Sequence, residues 1–117
     1  MRRPVHSLTS NALFSIWLDG AGDVWVTGSS AVLHYDGRAW TAFQNGLTVG
    51  LGLWGSASDD VWAVGASSGS DVSRFNGVAW VEAASPVATN LIAVRGTSVG
   101  NVWAVGEMGT VIHLRSP

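Results

Sequence analysis

The sequence predicts an all-β chain built from about three copies of one antiparallel, four-stranded unit. Three observations predict it. First, a pentapeptide recurs as Val24-Trp25-Val26-Thr27-Gly28, Val61-Trp62-Ala63-Val64-Gly65 and Val102-Trp103-Ala104-Val105-Gly106, with its tryptophans 37 and 41 residues apart. Self-similarity at such a period marks stacked supersecondary units. Second, hairpin signals recur with it, at Asp36-Gly37 and Asn76-Gly77. Third, no window keeps helical spacing without an internal glycine cluster, and the helix formers are scarce: there is no Lys, and the only Glu are Glu82 and Glu107.

The elements follow in order. A first strand ends near Trp17, Trp54 or Arg95, eight residues before each repeated tryptophan. Asp23, Asp60 or Asn101 then precedes the pentapeptide, a short polar residue suited to a turn. The second strand is apolar on both sides, so it is expected to be covered on both faces. Gly28, Gly65 and Gly106 are expected to end it and permit a turn. Third strands follow at Val32-Leu33-His34-Tyr35, Val72-Ser73-Arg74-Phe75 and Val111-Ile112-His113-Leu114. Asp36-Gly37 and Asn76-Gly77 read as two-residue type I′ turns, which need positive φ at both central residues. They lead into fourth strands at Trp40 and Trp80. In the middle unit the strands are expected at residues 51–54, 61–64, 72–75 and 79–83.

A meander of four strands with covered inner strands and a period near 40 is what a β-propeller blade requires. Trp25, Trp62 and Trp103 are then expected to fill the wedge between blades. The units fall at 11–48, 49–89 and 90–117. The third lacks its outer strand, and residues 1–10 carry Pro4-Val5-His6-Ser7-Leu8 where a fourth strand is due. Propellers have typically four to eight blades, so three do not close a ring. The expectation is completion by oligomerisation, most simply a six-bladed ring of two chains, each N-terminal strand completing its partner's last blade.

Composition narrows the function. The chain has 117 residues, 47% apolar and 12% charged, with 15 Gly, 7 Trp, no Cys and a formal net charge of −2. That excludes disorder, a disulfide scaffold and a thiolate metal site. Six Arg against eight acids make no nucleic-acid surface. No run of 18 apolar residues suggests a membrane helix, and the first ten residues do not read as a secretory leader. Cellular location is left open. No cofactor, phosphate loop, nucleophile elbow or metal-spaced His pair is expected. Asp59-Asp60 could bind a cation, but it stands in an expected turn, where Asp commonly bonds its own backbone.

The Asp-Val-Trp-Ala-Val-Gly core, the upstream Trp54-Gly55-Ser56 and the downstream His34-Tyr35-Asp36-Gly37-Arg38-Ala39-Trp40 resemble the short repeats of bacterial propeller proteins. These stand near the BNR or Asp-box group and the tectonin-type propellers. The resemblance covers about residues 11 to 117. It implies lectins, sialidases or simple interaction scaffolds. A sialidase would need an Arg cluster, an acid and a nucleophilic Tyr, whereas Tyr35 holds a repeat position shared with Phe75 and Leu114. The expectation is therefore not an enzyme but a binding module, with multivalent carbohydrate binding as its leading form. The alternative is a structural or protein-interaction scaffold, or part of a larger propeller.

Candidate ligand-binding residues are Arg38, Trp40, Arg74, Trp80 and Arg95. Trp40 and Trp80 on outer strands either cap the blade or offer a plane for a sugar ring. Arg38 stands two residues from Trp40. Arg74 replaces His34 and His113, and Arg95 replaces Trp17 and Trp54. An insertion near residues 67–71 extends one loop of the second unit. His6 and His113 become neighbours only if the exchanged-strand register holds.

Overall fold

The computed structural model describes residues 12–19, 22–29, 32–43, 49–66, 72–83, 90–98 and 100–114. They form eleven strands and one short 3₁₀ turn. The strands are β1 (Leu13–Leu18), β2 (Val24–Gly28), β3 (Val32–Tyr35), β4 (Trp40–Phe43), β5 (Val49–Ala57), β6 (Asp60–Ala66), β7 (Val72–Phe75), β8 (Trp80–Ala83), β9 (Leu91–Ser98), β10 (Asn101–Gly106) and β11 (Val111–Leu114). All pairing is antiparallel and between sequence neighbours, giving sheets β1-β2-β3-β4, β5-β6-β7-β8 and β9-β10-β11. The expected fourth strand from residues 4–8 and the loop at 67–71 lie outside the described residues.

The three sheets share one register. Trp17 pairs with Trp25, Trp54 with Trp62, and Arg95 with Trp103. Across the next strand, Trp25 pairs with His34, Trp62 with Arg74, and Trp103 with His113. Each first strand also carries a bulge opposite the end of the second, between Leu13 and Ser15, between Gly50 and Gly52, and between Leu91 and Ala93. A bulge adds one residue and sharpens the twist, so its repetition gives the three sheets the same curvature.

The sheets stack face to face in chain order, meeting chiefly through β1, β5 and β9. Each internal junction uses the same pair of faces. One sheet contributes the face bearing the pentapeptide tryptophan. The next contributes the opposite face, bearing the valine and alanine on either side of it. Between the first and second sheets, Trp25 and Val32 pack with Leu53, Val61, Ala63 and Phe75. Between the second and third, Trp62, Val64 and Val72 pack with Val94, Val102, Ala104 and Leu114. Period-two alternation in β6 sends Trp62 and Val64 one way and Val61 and Ala63 the other. The middle strand β6 is therefore covered on both sides, and Asp60 through Gly65 are all buried.

Two turn expectations are corrected. Asp36-Gly37 and Asn76-Gly77 do not form type I′ turns. Only the glycines have positive φ (97° and 100°), and each loop runs four residues between Tyr35–Trp40 and Phe75–Trp80 pairs. The side chain closes the loop. Asp36 Oδ1 accepts from the Arg38 and Ala39 amides at 2.9 Å each, and Asn76 Oδ1 accepts from Val78 and Ala79 at 2.9 and 3.0 Å. Asn serves as well as Asp because one carbonyl-type oxygen is all the turn uses. Gly28 and Gly106 do not turn the chain through positive φ. A Cβ on Gly28 would stand 2.1 Å from the Ala12 carbonyl oxygen, and one on Gly106 would stand 2.2 Å from that of Asn90. They are glycine because the neighbouring backbone passes too close for a side chain.

Candidate functional site

A polar cluster recurs where the first hairpin of each sheet turns. In the second sheet, buried Asp60 accepts from Ser56 Oγ at 2.5 Å and from Arg74 Nε at 2.7 Å. The Arg74 guanidinium lies 5.8 Å above the Trp62 ring centre. The first sheet places His34 Nε2 3.6 Å from Asp23 Oδ2, with the imidazole 4.4 Å from Trp25. The third places His113 4.5 Å from Trp103, nearly parallel, while the Trp103 indole N–H donates to Asn101 Oδ1 at 3.0 Å. In all three, a polar or cationic side chain lies against the ring of the pentapeptide tryptophan.

These contacts locate the sequence-derived candidates. Arg74 is engaged by Asp60 and Trp62. Trp80 is half-buried against the core between the first two sheets, edge-on to Trp25 at 5.7 Å, and its buried indole N–H finds no partner among the described residues. Arg38 is exposed at the tip of the β3–β4 loop. Trp40 is half-buried, 4.9 Å from Tyr35. Arg95 is exposed opposite Trp103, and its guanidinium donates to the Val94 carbonyl at 2.7 Å. The structure therefore gathers no single site from these five residues. Asp59 is exposed, and among the described residues no group of three acids and histidines could hold a metal.

Within the single chain, Trp103 does not share the position of the other two pentapeptide tryptophans. Trp25 is 2% and Trp62 1% exposed, but Trp103 is 47% exposed. It projects from the outer face of the third sheet beside Val105 and Val111, both also exposed. At the other end of the stack, the outer face of the first sheet exposes Leu13, Phe14, Ile16 and Leu18. There Ile16, Val24, Val26, Tyr35 and Trp40 line an apolar groove of about 270 Å³.

The sequence did not single out this groove. A signal for it exists in the repeat, because its lining residues are the register equivalents of Leu53, Val61, Ala63, Phe75 and Trp80. Those five share the first-junction core with Trp25, with Phe75 and Trp80 at 4.7 and 5.7 Å from its ring. The groove is thus the same slot without a tryptophan in it. No family model and no curated protein matches the chain. Among the described residues, no helix is long and apolar enough to cross a membrane.

Proposed function

We propose that the chain is a non-catalytic interaction scaffold of propeller type, whose working surfaces are its two outer sheet faces. One observation carries this reading. The same face-to-face junction occurs twice inside the chain, and each outer sheet presents the unmatched half of it. The partner that fits either half is another blade of this repeat. Among the described residues, the buried acid Asp60 is held by Ser56 and Arg74, and Asp23 lies beside His34, which favours a scaffold over a catalyst.

The reading is tested by placing a charge on each outer face, with Ile16→Arg and Trp103→Asp. Both positions are exposed in the single chain, so far-UV circular dichroism should be unchanged. Self-association or binding of an apolar dye should fall. If both variants match the parent in mass and in dye binding, the outer faces are not working surfaces.

A second reading, carbohydrate binding, has one observation in its favour. Trp40 and Tyr35 give the groove an aromatic wall, and Arg38 is exposed at the adjoining loop. The C–H face of a sugar ring packs on such a wall. Trp80 gives it less support, because its half-buried ring packs edge-on to Trp25 at the first junction. A glycan array at high protein concentration tests it: binding lost in Trp40→Ala supports this reading, and no binding at all removes it.

A further inference from the structure

We infer that the groove on the first sheet is a socket for Trp103 of a second copy of this chain, so that two chains join head to tail at two identical junctions. The inference rests on the scaffold reading and names its partner.

Register equivalence gives the contacts. At the internal junctions Trp25 and Trp62 enter slots formed by the next sheet. Trp103 is the third member of that series and has no slot among the described residues of its own chain. Its ring is held on one side: His113 stacks on it and Asn101 accepts its N–H, while the equivalent His34 lies tilted against Trp25. The Ile16–Trp40 groove is the one slot of this kind left without a tryptophan among the described residues.

Two further position pairs match. Val64 shares a core with Leu91 at the second junction. Their equivalents on the free faces are Val105 and Leu13, again a valine and a leucine and both exposed. The second pair is more telling. Trp17 lies over Gly55, where a Cβ would come within 2.8 Å of the ring, and Trp54 lies over Gly96, where it would come within 2.9 Å. Each large ring thus requires a glycine opposite. On the free faces the glycine position is held by Leu18 and the tryptophan position by Arg95. A tryptophan could not sit over Leu18, whereas a slender Arg stem can lie along it. Both halves of the pair depart from the repeat together, and in compatible directions. That is expected if the third sheet's outer face meets the first sheet's outer face directly.

Head-to-tail contacts close into a ring when the rotation permits and otherwise run on as filaments. Two copies supply six sheets, inside the four to eight of closed propellers. Three copies would supply nine.

Light scattering on the intact chain and on Ile16→Arg and Trp103→Asp tests this. The parent should show twice the 12.2 kDa chain mass, and each variant alone should show 12.2 kDa. An equimolar mixture of the two variants should recover the double mass, because one native junction then forms and the other sets Arg against Asp. A variant that stays dimeric alone, or a mixture that stays monomeric, overturns the head-to-tail arrangement. A monomeric parent overturns the second copy as partner. If that monomer binds an apolar dye and Ile16→Arg abolishes the binding, the scaffold reading survives. If it binds none, both fall.

Discussion

Strands β6 and β10 contain the same five residues, Val-Trp-Ala-Val-Gly, in different surroundings. In β6 every one of them is buried. In β10 burial alternates: Val102 and Ala104 are buried, while Trp103 and Val105 stand exposed. Pairing partners do not explain this, because both strands are central in their sheets and share one register. The difference lies in the neighbouring sheets. Among the described residues, β6 has one on each side and β10 has one on one side only. The same sequence is thus covered on two faces in β6 and on one in β10.

The largest effect that would sharpen the comparison is at the two tryptophans. Trp62→Ala should cost about 3–5 kcal/mol of global stability, as large-to-small changes at packed aromatics do. Trp103→Ala should hardly move the urea midpoint of the dissociated chain and should instead abolish association. Equal losses at both positions would break the comparison. Next come the two arginines that depart from the repeat. Arg74→Ala strips buried Asp60 of its cation and should cost about 2 kcal/mol, the scale of a hydrogen bond to a charged group. Arg95→Ala should leave the midpoint of the dissociated chain unchanged.

Close approach gives a smaller effect. Gly28→Ala forces a Cβ against the Ala12 carbonyl and should cost about 1–3 kcal/mol by overpacking. Gly22→Ala should cost less, since nothing lies within 4 Å there and only its positive φ resists the change.

The smallest effect is at the paired loops. The Ala39 and Arg38 amides hold the Asp36 carboxyl below its ordinary value of 3.8. A lowered folded value means a stabilising contribution that is complete above the unfolded value and lost as pH falls through the folded one. Acid titration of the thermal midpoint should therefore lose a small component below about pH 4. Asp36→Asn should remove that component without lowering the midpoint at neutral pH. Asn76→Asp should add a second one.

Much of this architecture was legible in the sequence. The period of the pentapeptide, the paired loops and the two-sided β6 all pointed to stacked four-stranded antiparallel sheets, and three such sheets, the last with three strands, are present. What escaped was set by neighbours. Trp25, Trp62 and Trp103 look alike in sequence, and only the stacking order shows that the third has no sheet in front of it. The candidate site was less legible. Arg74 departs from the repeat and so invites a functional reading, but its departure answers Asp60 and Trp62 within its own sheet. Ile16 attracted no notice, and Val24 and Tyr35 were read only as repeat positions, because ordinary apolar strand residues become a groove only when the face they share is uncovered. The type I′ reading of Asp-Gly failed because the acid's side chain closes the loop without positive φ at the acid.

The central claim is that the two outer faces belong against each other. The chain has no cysteine, so single thiols can be placed without background. Leu13→Cys and Val105→Cys are prepared separately, mixed, and treated with a short bis-maleimide. The structure predicts a covalent product of one chain of each kind, formed only in the mixture. A product formed by Leu13→Cys alone or by Val105→Cys alone, or none in the mixture, would contradict it.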